Sequence, residues 1–78
     1  MIAWRNYLTS DAEVCHGQLC VKGTRVMVTN ILDSLADGSS IEEILKSYPS
    51  ITREHIEAAM AYAADLAREE SLLPVSGL

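Results

Sequence analysis

The sequence contains few aromatic residues: one tryptophan, three tyrosines and no phenylalanine among its 78 residues. Long apolar runs are also missing, since the longest uninterrupted one covers only residues 58–64. A membrane-spanning helix needs roughly 20 consecutive apolar residues, so the sequence offers no candidate for one. The length allows a single domain. Because aromatics are scarce, we expect its core to be built from aliphatic side chains and alanine.

Acids outnumber cations, and most of the excess lies in the second half of the chain. Residues 1–39 carry three Lys or Arg and four Asp or Glu, whereas residues 40–78 carry three and seven. Non-specific binding to nucleic acid depends on cationic side chains that neutralise phosphates, so a single copy is poorly suited to it. A basic protein is the better electrostatic partner. The N-terminus shows no charged head followed by an apolar run, and we expect a soluble, cytoplasmic protein.

Side chains suited to catalysis or metal binding are few. A structural zinc site uses two pairs of closely spaced Cys or His ligands. The sequence does not have that spacing in its cysteines and histidines, which are Cys15, His16, Cys20 and His55. We expect the cysteines to act as small apolar residues with reduced thiols, although the sequence leaves open whether they bond to each other. Cys15 and His16 are neighbours, and neighbouring side chains of an extended segment point to opposite faces, so they form no catalytic pair. We therefore predict that the protein is not an enzyme and holds no metal or cofactor.

The first 27 residues read as an extended or β arm. Ile2, Trp4 and Leu8 share one parity in a weak alternation, and residues 18–22 form a second short extended candidate. The polar residues 9–11 between them are typical of a turn. Two short strands are marginal on their own in water, so we expect the helices or a second copy of the chain to cover them.

Residues 28–71 have the 3.6-residue period of helices. Three helices are predicted, over about 29–37, 41–48 and 52–70, and they form a three-helix bundle of helix-turn-helix type. Their end signals are Thr29 as a cap, Gly38 in the left-handed conformation, the Ser40 and Glu43 capping box, Pro49 as a stop, and Thr52 as a cap. Residues 72–78 form an apolar tail, either docked or frayed. The predicted fold is mostly α, with a short N-terminal β-hairpin or arm before the helices.

The third predicted helix carries two apolar stripes, and the second of them contains Ala58, Ala61, Tyr62 and Leu66. The other two helices could cover both stripes, or the second stripe could meet another copy of the chain. Alanine allows helices to approach closely, and a chain of this size gains from burying more surface by pairing. We therefore expect a homodimer or a larger oligomer, with the second stripe at its interface.

Two segments could contact nucleic acid. The turn around Gly23 and Thr24 could hold a phosphate or a carboxylate, but a purely structural turn, in which Thr24 bonds to local backbone, is the simpler interpretation. The second and third predicted helices fit the helix-turn-helix plan, in which the start of the later helix enters the major groove. Small helical pairs of this kind are also common without any role in DNA binding. The candidate nucleic-acid contacts in the two segments are Lys22, Arg25, Thr52, Arg53 and His55.

Several strings follow one another in a fixed order: Val21-Lys22-Gly23-Thr24-Arg25-Val26, residues 31–38, Ile41-Glu42-Glu43-Ile44-Leu45, Tyr48-Pro49, and residues 58–64. Over about residues 11–68 the chain resembles the small bacterial proteins of family 433 of the domains of unknown function (DUF433). The resemblance implies a homeodomain-like helix-turn-helix core preceded by short strands.

The same resemblance implies a non-enzymatic antitoxin-like regulator, which binds a PIN-like ribonuclease toxin and, as an oligomer, its operator DNA. The alternative is a homo-oligomeric protein-interaction module without DNA binding. Members of the family commonly carry proline at the position of Met27, so this chain has a backbone N–H there that is able to pair.

Overall fold

A computed structural model describes residues 2–70, apart from the side chains of Cys15 and Glu70. Within that part the chain forms one turn of 3₁₀ helix, a two-stranded antiparallel hairpin and three α-helices. None of the helices over residues 2–70 has both the length and the hydropathy of a membrane span. The mostly helical fold with an N-terminal β element is thus confirmed, and the predicted tail over 72–78 lies outside the described residues. In chain order the elements are the 3₁₀ helix Trp4–Asn6, β1 Leu8–Asp11, β2 Val14–Val21, α1 Val28–Ala36, α2 Ile41–Ser47 and α3 Arg53–Glu70.

The start of the hairpin differs from the prediction. Residues 9–11, whose composition predicts a turn, belong to β1, and the predicted strand over 2–8 contains the 3₁₀ helix instead. The pairing of the backbone explains both corrections, because the Tyr7 carbonyl accepts the Lys22 N–H at 2.9 Å and the ladder continues from there into β1. Backbone pairing across the hairpin therefore overrides the local turn preference of the polar residues.

The segment after β2 folds back along that strand. Gly23 has φ 77°, a left-handed conformation that glycine adopts without strain. The Val21 N–H then donates to the Val26 carbonyl at 2.9 Å, and Met27 forms an antiparallel bridge with Cys20. The position at which the family resemblance implies proline therefore lies beside the sheet, and a hydrogen bond of this bridge runs between Val21 and Val26. Cys20 is fully buried, as expected of a small apolar residue.

The first two helices begin differently. α1 begins at Val28 with Met27 before it and no side chain capping it, so the predicted Thr29 cap is wrong because Thr29 already lies inside the helix. α2 has the predicted capping box: the Ser40 hydroxyl accepts the Glu43 N–H at 3.1 Å, and the Glu43 carboxylate accepts the Ser40 N–H at 2.7 Å. The hydrogen bond from the Ser40 backbone is the main reason why the pKa of Glu43 is lowered.

Removal of this cap is expected to loosen α2. In a Ser40→Ala variant the Glu43 N–H loses its acceptor, and we expect the free energy of unfolding to fall by about 1 kcal/mol. Urea denaturation followed by far-UV circular dichroism measures the change. A Ser47→Ala variant at the other end of α2 is the control, with an expected change below about 0.5 kcal/mol. Equal losses in the two variants would contradict the role assigned to the cap.

The core is aliphatic and rich in alanine, as the composition predicts. Each of the three helices contributes one isoleucine that is at most 1% exposed, namely Ile31, Ile44 and Ile56. The hairpin and the first half of α3 supply further members of the cluster, namely Leu8, Val21, Ala58 and Ala59. In the second half of α3, by contrast, every side chain over 62–69 is at least partly exposed. The core therefore secures the start of α3 and does not extend to its end.

Candidate functional site

The start of α3 is joined to the start of α2 by an ion pair. Arg53 donates to the Glu42 carboxylate at 3.2 Å, and the two side chains are 52% and 72% exposed. Exposed ion pairs contribute little to stability, but this one bears on binding. It engages Arg53, the predicted nucleic-acid contact with the strongest base-reading chemistry, with an acid of its own chain.

His55 is held within the first turn of α3. Its Nδ1 accepts the Thr52 N–H at 3.0 Å, and its ring meets Tyr7 edge-on with the ring centroids 5.9 Å apart. The Thr52 carbonyl accepts the Ile56 N–H at 3.3 Å, which places Thr52 at the cap position. A side chain at the third helical position that accepts the N–H of the cap residue is half of a capping box, with histidine in place of Glu or Gln. His55 therefore stabilises the helix start.

Glutamates surround these two helix starts. Glu42 and Glu43 lie in the first turn of α2, Glu54 lies in the first turn of α3, and all three are exposed. The pKa of Glu54 is lowered, first by a hydrogen bond with its own backbone N–H and then by one with the Thr52 hydroxyl, so its carboxylate is ionised at neutral pH. The positive end of a helix dipole favours carboxylates at such positions. We refer to Glu42, Glu43 and Glu54 as the acidic surface.

The turn between β2 and α1 is held by hydrogen bonds of Thr24 to local backbone, as the simpler interpretation of the sequence predicts. The Thr24 hydroxyl donates to the Val21 carbonyl at 2.9 Å and accepts the Val26 N–H at 3.0 Å. Lys22 and Arg25 are exposed on this turn. Arg25 also lines a cleft of about 270 Å³ whose other walls include hairpin residues.

Tyr7 lies between the two groups of predicted nucleic-acid contacts. Its carbonyl accepts the Lys22 N–H at 2.9 Å, and its ring contacts His55. The structure therefore brings the start of the turn and the first turn of α3 to the same aromatic residue. Tyr7 belongs to no motif, and the sequence does not single it out because its role depends on two contacts that are distant along the chain.

The predicted oligomer stripe on α3 is largely covered by its own chain. Ala58 is fully buried and Ala61 is 4% exposed, so the expectation that these two residues meet a partner has to be corrected. Tyr62 is partly buried and meets Trp4 edge-on, with the ring centroids 5.0 Å apart. Leu66 is 41% exposed. Helical periodicity identifies the stripe as apolar, but it does not show that the N-terminal segment folds onto the same helix.

A polar contact also fixes the N-terminal segment to α3. The Trp4 Nε1–H donates to an Asp65 carboxylate oxygen at 2.7 Å, and the Arg68 guanidinium bonds to the same carboxylate. The bond from Trp4 is the larger cause, and the bond from Arg68 the second, of a lowered pKa of Asp65. The Arg5 guanidinium lies 4.3 Å from the centre of the Trp4 ring. We refer to Trp4, Asp65 and Arg68 as the terminal clamp, which lines an open groove of about 340 Å³.

The fold and these surfaces define a small, mostly helical module with an N-terminal hairpin and an acidic surface at the starts of α2 and α3. The chain belongs to the DUF433 family, described as proteins of unknown function, whose model matches residues 8–63. The resemblance to this family is thereby confirmed. The matched region contains the hairpin, α1, α2 and the first half of α3, whereas the terminal clamp lies outside it.

Two proteins show the likeness in more detail. The uncharacterized protein y4eO of Sinorhizobium fredii (strain NBRC 101917 / NGR234) is 38% identical over 63 residues, which make up 81% of this chain and 28% of that protein. A crystal structure of a DUF433 member protein from Anabaena variabilis ATCC 29413 matches with a TM-score of 0.74 and 28% identity, over 83% of this chain and 64% of that one. The chain therefore spans under a third of y4eO and just under two thirds of the crystallised protein.

Proposed function

We propose that this chain is a non-enzymatic, antitoxin-like regulator that binds a basic protein through the acidic surface. The partner class that we expect is a PIN-like ribonuclease toxin, which the family resemblance suggests. The observation that carries the proposal is the charge at the neighbouring starts of α2 and α3. Three exposed glutamates lie there, and the nearby cation Arg53 already bonds to one of them, Glu42.

The glutamates of the acidic surface lie at helix starts whose backbone is held by capping contacts within the chain. The capping box of Ser40 and Glu43 holds the start of α2, and the contact of Thr52 with His55 holds the start of α3. Side chains on a fixed backbone lose less conformational entropy when a partner binds. A complementary charged surface also accelerates association and disfavours partners of the same charge. These features support a basic protein as the ligand.

Operator DNA is the second candidate ligand. The order α2, turn and α3 is the one that a helix-turn-helix requires, and the family resemblance implies a homeodomain-like core of this type. Exposed Lys22 and Arg25 would add phosphate contacts. DNA is the weaker candidate because Arg53 would have to leave Glu42, while Glu54 would face phosphates on the same helical turn. A homo-oligomeric interaction module that binds no DNA is the alternative if neither ligand binds.

Calorimetric titration of the chain with a PIN-like nuclease from the same genome tests the proposal. We expect a complex that weakens as salt rises and that stops the nuclease from cleaving a fluorescent RNA. The double variant Glu43→Gln/Glu54→Gln removes two charges from the acidic surface but keeps the α2 start, because glutamine also serves in a capping box. We expect it to bind several-fold more weakly, mainly through slower association.

The matched control is the double variant Glu13→Gln/Glu69→Gln, which removes two charges outside the acidic surface and should bind like the natural sequence. No complex at low salt, or equal weakening in both double variants, would overturn the proposal. A titration with duplex DNA from the promoter of the chain's own gene, at two salt concentrations, tests the second ligand. Binding that depends on phosphates must weaken as salt rises, and no binding at low salt excludes operator DNA.

A further inference from the structure

One strip along α3 lies on the side of the helix that faces away from the core. Its members are spaced by three or four residues and fall within about 80° of one another at 3.6 residues per turn. Glu57 and Arg68 are exposed at its two ends, Met60 is 40% exposed, and Ala64 is partly buried. We refer to Glu57, Met60, Ala64 and Arg68 as the open strip.

The middle of the open strip is apolar and concave. Met60 is one of the two large hydrophobic side chains exposed within residues 2–70. Together with Ile2 and Ala61 it lines an open concavity of about 390 Å³. Methionine is unbranched and adapts its shape to a facing surface. Contiguous exposed apolar surface beside polar residues is a common feature of protein interfaces. The strip therefore favours a partner that offers a small side chain opposite Met60.

A second copy of α3 in antiparallel orientation fits the strip in both shape and charge. With the two-fold axis near residues 62–63, Met60 of each copy lies beside Ala64 of the other. Glu57 of each copy then lies opposite Arg68 of the other, about 8 Å along the helix from the axis. A two-fold interface forms every contact twice, so one strip supplies two ion pairs and two Met–Ala contacts. Parallel packing would place Glu57 against Glu57.

We propose that the open strip is the self-association surface of this protein and that its occupant is α3 of a second copy, packed antiparallel. Arg68 also bonds to Asp65 of its own copy, and a guanidinium has five N–H donors, so it can keep that bond and still meet Glu57 of the other copy. The charge complementarity of Glu57 and Arg68 across the two-fold axis selects this occupant. The open strip replaces Ala58 and Ala61, which are buried within one copy, as the centre of the interface. It shares no residue with the acidic surface, so the self-association stands apart from the proposed binding of a toxin.

A charge-exchange experiment tests the arrangement. Sedimentation equilibrium of the full chain over a wide concentration range should give a monomer–dimer equilibrium. Glu57→Arg and Arg68→Glu should each raise the dimer dissociation constant at least about tenfold, because each places like charges opposite each other twice. The combined variant Glu57→Arg/Arg68→Glu re-forms both ion pairs with the charges exchanged, so most of the lost affinity should return.

Glu69→Arg is the matched control, because it makes the same change of charge on the same helix but outside the open strip. It should not raise the dissociation constant. Each Glu→Arg change moves the net charge from −5 to −3 and lowers general repulsion between copies, so weakening by Glu57→Arg would be a local effect. The proposal is overturned if the natural chain stays monomeric at every concentration. It is equally overturned if the combined variant associates no better than Arg68→Glu, or if Glu69→Arg weakens the dimer as much as Glu57→Arg.

Discussion

An Ile56→Ala variant is expected to lose about 3–4 kcal/mol of its free energy of unfolding. Ile56 is fully buried on α3 and belongs to the same core cluster as Ile31 of α1 and Ile44 of α2. Truncation removes buried apolar surface and leaves a cavity at the meeting point of three helices, where no single element can move to fill it. A domain of 78 residues has roughly 4–12 kcal/mol in total, so this one change removes a large share.

Urea denaturation followed by far-UV circular dichroism, at one fixed protein concentration, measures this loss. Leu66→Ala is the control, because it truncates a large side chain on the same helix at a position that is 41% exposed. We expect it to cost about 1 kcal/mol or less. If the two variants lost the same stability, the assignment of the core to the three isoleucines would be wrong.

The helices are the part of the fold that the sequence predicts well, because their signals are local. The ends over 29–37, 41–48 and 52–70 each differ by at most one residue from those of α1, α2 and α3. Gly38 adopts φ 93° after α1, and the Ser40 capping box opens α2, so both signals act within a few residues of the ends that they mark. A periodic apolar face and a capping residue therefore suffice to predict these helices.

The hairpin is harder to predict, because its strands are defined by pairing across a distance. The bond between the Tyr7 carbonyl and the Lys22 N–H joins residues fifteen positions apart, and it decides where β1 begins. The polar residues 9–11 have turn propensity, but they lie in a strand because their backbone groups are used in the ladder. Local composition carries no information about such a partner.

For the candidate nucleic-acid contacts, the sequence likewise predicts the local features but not the contacts with distant residues. The sequence identifies Arg53 and His55 by residue type and by their place at the start of a helix. It does not show that Glu42, eleven residues away, engages Arg53, or that the His55 ring accepts the Thr52 N–H. The terminal clamp is more distant still, since Trp4 and Asp65 are 61 positions apart and lie on either side of the family match over 8–63.

The second large effect is expected at this clamp. A Trp4→Ala variant should lose about 2 kcal/mol, roughly half the cost of truncating a fully buried aromatic residue, because Trp4 is only partly buried. The loss comes from the edge-on contact with Tyr62 and from uncovering the α3 surface beneath the ring. Amide hydrogen exchange should show where the stability is lost: the Trp4→Ala variant should exchange faster in α3 around residues 62–66 and change little in α2.

A Trp4→Phe variant separates ring packing from the hydrogen bond, because phenylalanine keeps an aromatic ring but has no N–H for Asp65. Its loss should be smaller than that of Trp4→Ala. The pKa of Asp65 is lowered in the folded chain, so the stabilisation that depends on its charge is present at neutral pH and disappears as the pH falls through that lowered pKa. The stability difference between Trp4→Phe and the natural sequence should therefore shrink on acidification, whereas the effect of losing the ring in Trp4→Ala should persist. If Trp4→Phe were as unstable as Trp4→Ala at every pH, packing against Tyr62 would not be what attaches the N-terminal segment to α3.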